Sequence, residues 1–256
     1  MRSLLVRLAV VCVAVLCGGT VLRADTFTVT IPGTANIFGA NRPAGSQTPQ
    51  PGGGGGGTPA PYVTIPSGSG LVLTFQNVSG NVTCFVNGPS NGPDGGQCAS
   101  NYTDINSYDG ISGIYFQGRT MFLVGVFTDG DPTGQSAPAR LVYDTGGSGS
   151  LSSSDLTYAP QLRQVFFIGD GLTGTGSGSV QTFIVPSGAT RLYLGFADAF
   201  AFHGNPGWYD DNVPGELTAT FEIKQPGASP VPEPTTMLLF GTGLAGVAGI
   251  VRRRRR

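Results

Sequence analysis

The chain has 256 residues and a formal net charge of −1, but its charges are unevenly spread. Eight of the 14 basic residues lie at the two ends; between them six basic residues stand against fourteen acidic ones, a net charge of −8. An acidic, lysine-poor surface of this kind excludes nucleic acid as a partner and suits cations and neutral sugars.

At the N-terminus, Arg2 and Arg7 precede or interrupt an apolar stretch from Leu4 to Leu16, and Leu22-Arg23-Ala24 offers a cleavage point. Residues 1–24 are therefore read as a signal peptide that directs export. Cys12 and Cys17 leave with it; Leu16 before Cys17 is not the small residue a lipoprotein signal requires. The mature chain keeps Cys84 and Cys98 in an oxidising compartment, where a disulfide persists. Such a bridge closes a 15-residue loop and contributes roughly 3 kcal/mol in the chain-entropy model. Two free thiols or a metal pair are the alternatives, although two cysteines without a nearby histidine make a poor zinc site.

Residues 25–60 open with one strand, Thr26 to Ile31, that places Phe27, Val29 and Ile31 on one face. A Gly/Pro-rich stretch follows, including six consecutive glycines from Gly52 to Gly57. It has too little apolar surface to offset the entropy of ordering, and the expectation is a flexible loop. Residues 61–224 are long enough for one domain with a sizeable core. Their period is two: Leu71, Leu73 and Phe75; Leu192, Leu194 and Phe196; Leu217, Ala219, Phe221 and Ile223. Met121 to Phe127, Gln164 to Ile168 and Gln181 to Val185 are near-continuous apolar or β-branched runs, as in core strands. Dense Gly, Pro, Asp and Asn turns separate them, and no long helical pattern appears. The similar openings Ile65-Pro66-Ser67-Gly68 and Val185-Pro186-Ser187-Gly188 read as local turn chemistry. These features predict an all-β fold, a single jelly-roll-type β-sandwich, flanked by an N-terminal signal helix and a C-terminal transmembrane helix.

The segment from Arg191 to Phe221 carries the chemistry. A strand ends at Asp198, a Gly/Pro-rich loop follows, and Asp210, Asp211 and Asn212 precede the last strand. Calcium takes six to eight hard oxygens on a loop that can curl around it; a solvated turn is the alternative, because the same residues are common in turns. Asp ending a strand, Pro-Gly, an aromatic, two Asx residues, Gly and a closing strand together resemble the calcium loop of galactophilic bacterial lectins. Those are jelly-roll sandwiches in which calcium holds protein and vicinal sugar hydroxyls together. The resemblance implies Asp198, Asp211 and Asn212 as side-chain ligands, Trp208 as a carbonyl ligand, and a further carbonyl near Thr83 or Cys84. Asp211 stands where the lectins use an amide, the loop before Trp208 is about six residues longer, and the loop Gly92 to Gln97 lacks the lectins' sugar-contacting histidine.

His203, Tyr209 and Asp210 are candidate ligand contacts. His203 reads equally as an incidental loop residue, and either Trp208 or Tyr209 can offer a stacking face or fold inward to staple the loop. With one histidine there is no Ser-His-Asp set. Glu216 and Glu222 fall on the strand face opposite Leu217 and Phe221, so the body is expected to be non-catalytic.

Gln225 to Pro230 form a spacer. Residues 231–256 then read Val231-Pro232-Glu233-Pro234, an apolar run from Thr236 to Val251, and five arginines, Arg252 to Arg256. The run is 16 residues, short of the ~20 a helix needs to cross a ~30 Å core, a gap that snorkelling arginines and thinning can close. The arginines stay cytoplasmic by the positive-inside rule. This order closely resembles the PEP-CTERM sorting signal of bacterial surface proteins, in which an exosortase recognises Pro232, Glu233 and Pro234 and removes the tail; a plain C-terminal anchor is the alternative. The expectation is an exported, surface-sorted, calcium-dependent carbohydrate-binding module, with exopolysaccharide as the candidate ligand. The alternative is a non-catalytic extracellular-matrix protein in which calcium only stabilises the fold.

Overall fold

The computed structural model describes residues 24–225. The expected signal peptide through Arg23, the rest of the spacer, the sorting signal with Pro232, Glu233 and Pro234, and the expected transmembrane helix lie outside the described residues. Among the described residues no helix is long and apolar enough to cross a membrane.

The chain is mostly β, arranged in several sheets. The largest has the order Ala24–Pro32, Gly215–Lys224, Val72–Thr83, Thr182–Ile184, Thr157–Tyr158, with Ser90–Asn91 added beside Val72–Thr83. Its spine is the antiparallel ladder between Gly215–Lys224 and Val72–Thr83. Leu217, Ala219, Phe221 and Ile223 are buried, as their alternation predicts. On the partner strand the register shifts between Thr220 and Phe221, which face Asn77 and Phe75. Gln76 is the extra residue, and this bulge moves the inward set from Leu73 and Phe75 to Val78 and Val82.

A second sheet, antiparallel throughout, has the order Phe166–Phe167, Val124–Thr128, Arg191–Gly195, Tyr62–Thr64. A third runs Leu141–Tyr143, Ile114–Gln117, Tyr102–Ile105, His203–Gly204, with parallel pairs at both edges. Aromatic rings join the three. Phe183 of the first sheet lies 5.4 Å from Phe166 of the second, and Phe116 of the third lies 5.0 Å from Phe167. Aromatic pairs at such spacings add about 0.5–1.5 kcal/mol each beyond the area they bury.

The two Pro-Ser-Gly turns do more than bend the chain. Each carries it from one sheet to another, and they interlock: Ile65 N–H donates to Thr190 C=O at 2.9 Å, and Val185 N–H donates to Leu71 C=O at 2.9 Å. Between them lies a cavity of about 620 Å³. It is lined by Ser, Thr, Gly, Pro and aliphatic residues, with no titratable side chain among them. The strand directions place Gln225 at this end, whereas Cys84, Asp198 and Gly215 lie at the other end of the same strands.

The Gly/Pro-rich stretch is packed, contrary to the expectation of a flexible loop. Asn36, fully buried, donates to Pro49 C=O at 2.8 Å and Gly56 C=O at 2.9 Å. The glycines allow close approach: a Cβ on Gly54 would overlap the Trp208 indole, and one on Gly55 would overlap the Asp210 carboxylate. Composition marks such a segment as solvated, but here the loop from Asn205 to Asp211 supplies the missing contacts. Both residues 25–60 and the strands that follow belong to one compact unit that begins at Asp25.

Candidate functional site

The Arg191–Gly195 strand, held between Val124–Thr128 and Tyr62–Thr64, delivers Asp198 to the end of the second sheet. There the carboxylate is buried at 2% exposure. Its Oδ1 accepts the Ala199 N–H at 2.7 Å and its Oδ2 accepts the Asn212 side-chain N–H at 2.7 Å. Asn212 is fully buried and also donates to Gly33 C=O at 3.3 Å. Its own Oδ1 has no hydrogen-bond partner, and neither does the buried Oδ1 of Asp211. Two orphaned oxygens thus belong to residues beside a buried carboxylate, an arrangement that is costly unless a hydrogen-bond donor or a cation meets them.

The electrostatics point the same way. Burial, the largest influence, pushes Asp198 well above the usual carboxylate range; the bonds from Asn212 and Ala199 oppose it, and the charge of Asp211 adds to it. Burial also raises Asp211, its own backbone N–H works against the shift, and the charge of Asp210 adds to it. Asp198 and Asp211 both line a cavity of about 280 Å³, together with Trp208, Cys84 and Phe85. The sequence reading placed carbonyl donors at Trp208 and near Cys84, and both residues are here. Among the described residues no three His, Cys, Asp or Glu side chains gather in a metal-holding group. Two carboxylates would therefore need amide and backbone oxygens to complete a cation's shell. That donor set is all oxygen, its two charges match a divalent ion, and it fits calcium better than a transition metal.

The loop is fixed by its own residues. Trp208, in a left-handed conformation (φ 69°), donates its backbone N–H to Gly53 C=O at 2.9 Å and its indole N–H to Gly52 C=O at 3.1 Å. Tyr209 is the aromatic that folds inward. It is fully buried, donates its hydroxyl to Phe196 C=O at 3.1 Å and accepts the Asp198 N–H at 3.0 Å. It is an anchor, which corrects its reading as a ligand contact. Asp210 accepts the Gly57 N–H at 2.8 Å and so faces the glycine stretch. His203 lies on the third sheet, where its ring packs tilted against Tyr102 at 4.1 Å and its Nε2 pairs with the Ser100 hydroxyl at 3.0 Å. Neither Asp210 nor His203 lines the cavity. Phe200 does, 65% exposed, and the sequence reading did not single it out. Because Gly54 is left-handed (φ +68°) and packed on the indole, Gly54→Ala is expected to cost about 2 kcal/mol. A fall in Tm with a shift in tryptophan emission, which Trp208 alone supplies, checks it.

Cys84 and Cys98 form a disulfide, as expected. Asn91 donates its amide to both sulfurs, at 3.4 and 3.1 Å. The bridge fixes Cys84 against the cavity.

Residues 230–256 match the family model of the PEP-CTERM protein-sorting motif. This chain carries a PEP-CTERM sorting signal. No curated protein and no solved structure matches the chain, so no relative supports the likeness to lectins. The PEP-CTERM motif marks the protein as secreted, sorted to the cell surface and processed by an exosortase.

A second buried carboxylate pair in this PEP-CTERM protein serves the fold. Asp94, in the loop compared with the lectins' sugar contacts, is 5% exposed. It accepts the Asp170 N–H at 3.2 Å and lies 3.7 Å from Arg119. Burial raises it to about 6, with the charge of Asp170 adding and Arg119 opposing. A folded-state value above the unfolded one, about 3.9, means stability present below pH ~4 is lost as pH rises through ~6. Asp94→Asn is expected to flatten that decline, which is on the order of 3 kcal/mol, in urea melts at pH 4 to 7.

Proposed function

We propose that the exported body is a non-catalytic, calcium-dependent carbohydrate-binding module on a jelly-roll-type sandwich, delivered to the cell surface by its sorting signal. The observation that carries this reading is the pair of orphaned oxygens on Asp211 and Asn212, beside a buried Asp198 and a cavity that Trp208 and Cys84 also line. Bound calcium would supply the positive charge those oxygens lack and would offer open positions to the vicinal hydroxyls of a sugar. Asp198, Asp211, Asn212 and the carbonyls of Trp208 and Cys84 would hold it. Each Asp198 oxygen already accepts one hydrogen bond and keeps a second lone pair for the ion. Exopolysaccharide at the cell envelope is the natural source of the sugar.

Thermal unfolding in EDTA and in millimolar calcium tests this. A native-state ligand at about 100 times its Kd adds about 2.7 kcal/mol, roughly 5–10 °C for a domain of this size. Asp211→Ala should lose that rise. In EDTA it should be no less stable than the wild type, because removing Asp211 relieves a raised, desolvated carboxylate. An equal Tm with and without calcium in the wild type would sink the reading.

One observation favours the matrix alternative, in which calcium only stiffens the fold. Asn212 is fully buried and does not line the cavity. If calcium raises the Tm and no sugar raises it further, the matrix reading holds.

A further inference from the structure

The cavity beside Asp198 and Asp211 has few side chains that could hold a hydroxyl. Its walls are Phe85, Phe200, Phe202 and Trp208 with three alanines between them. The Trp208 indole N–H is already given to Gly52 C=O, and the Cys84 sulfur is in the disulfide. The two carboxylates are the only remaining polar side chains, and they accept and do not donate. A sugar hydroxyl turned toward the aromatic wall would find no side-chain partner there, at a cost in desolvation. A methyl group there would gain from burial.

The aromatic wall is built at some expense. Phe200 opens a short 3-10 turn, and the next two residues, Ala201 (φ 51°) and Phe202 (φ 64°), are both left-handed. Non-glycine residues in that region are strained and persist where the surroundings require them. Their effect is to send Phe202 into the core, 2% exposed, and hold Phe200 outside at 65% exposure, 5.0 Å from the Trp208 ring. At about 280 Å³ the cavity falls just below the ~300 Å³ at which drug-sized pockets begin. It accommodates one sugar ring better than a chain.

We infer that the sugar this site selects is a 6-deoxyhexose, held through a vicinal diol near Asp198 and Asp211 with its methyl group on the Phe200–Trp208–Phe85 wall. This rests on the calcium-dependent reading above, and the experiment separates the two.

Matched sugars differing in one hydroxyl are titrated into the calcium-loaded protein: D-galactose against D-fucose, L-galactose against L-fucose, L-mannose against L-rhamnose. The emission of Trp208, the sole tryptophan, and the heat of binding are the readouts. The deoxy member of at least one pair should bind roughly tenfold tighter or more, the scale at which an apolar pocket discriminates one group. Phe200→Ala should lose that preference while keeping the calcium-induced rise in Tm, since Phe200 supplies no oxygen ligand. Equal or tighter binding of the hydroxylated member in every pair overturns the inference, as does a preference that survives Phe200→Ala. A calcium rise without binding of any of the six sugars overturns it and leaves calcium as a stabiliser. Absence of the calcium rise removes both readings together.

Discussion

Tyr209→Phe is expected to lower stability by about 3 kcal/mol, although it removes a single oxygen. That oxygen donates to Phe196 C=O and accepts the Asp198 N–H inside a fully buried site. Without it a buried carbonyl and a buried N–H both go unpaired, at roughly 1–3 kcal/mol each. For a domain of about 200 residues the fall in Tm is roughly 6–12 °C. Because Phe196 and Asp198 follow directly on the Arg191–Gly195 strand, the substitution should also weaken the proposed calcium binding more than Gly54→Ala does. Urea melts of the two variants, with and without calcium, check both statements. A Tyr209→Phe protein as stable as the wild type would mean that water or a relaxed backbone satisfies these groups.

Removal of the Cys84–Cys98 bridge is expected to have a comparable effect by a different route. The closed loop spans a sequence separation of 14, which corresponds to about 3 kcal/mol taken from the unfolded chain. The double variant Cys84→Ser, Cys98→Ser should lose about that much, chiefly by speeding unfolding if the loop closes late. Cys84 lines the cavity with Asp198 and Asp211, so the loss should be larger in calcium than in EDTA. Equal losses in the two conditions would show that Cys84 contributes to the fold and not to the ion.

The strands with a strong alternating signal were legible in the sequence. Leu217 to Ile223, Leu192 to Leu194 and Leu73 to Phe75 face inward as their period requires. The third sheet was not legible. Its strands are two to four residues long, pair in parallel at both edges, and mix Asp104 and Gln117 with Ile105 and Phe116. So short a segment shows no period, and parallel pairing depends on residues distant in sequence. The glycine run misled for a related reason. Composition reports what a segment can bury by itself, whereas Gly54 and Gly55 are glycine because Trp208 and Asp210 press on them from some 150 residues away.

Within the site, Asp198, Asp211, Trp208 and Cys84 line one cavity and Asn212 does not, because strand ends and turn residues fix their positions. Phe200 could not be recognised. An aromatic residue near the end of an apolar strand reads as core, and its exposure follows from two left-handed residues that no propensity announces. The Tyr102–His203 ring contact on the third sheet was hidden likewise, since it rests on pairing His203 with Asp104.

The central claim is that Asp198, Asp211 and Asn212 hold calcium, and direct calcium titration by calorimetry on metal-free protein tests it most simply. The account predicts one calcium per chain in the wild type, none in Asp198→Asn at the same concentrations, and much weaker uptake of magnesium, which demands a tighter octahedral shell. Absence of calcium uptake at millimolar concentration, or uptake unchanged in Asp198→Asn, would contradict it.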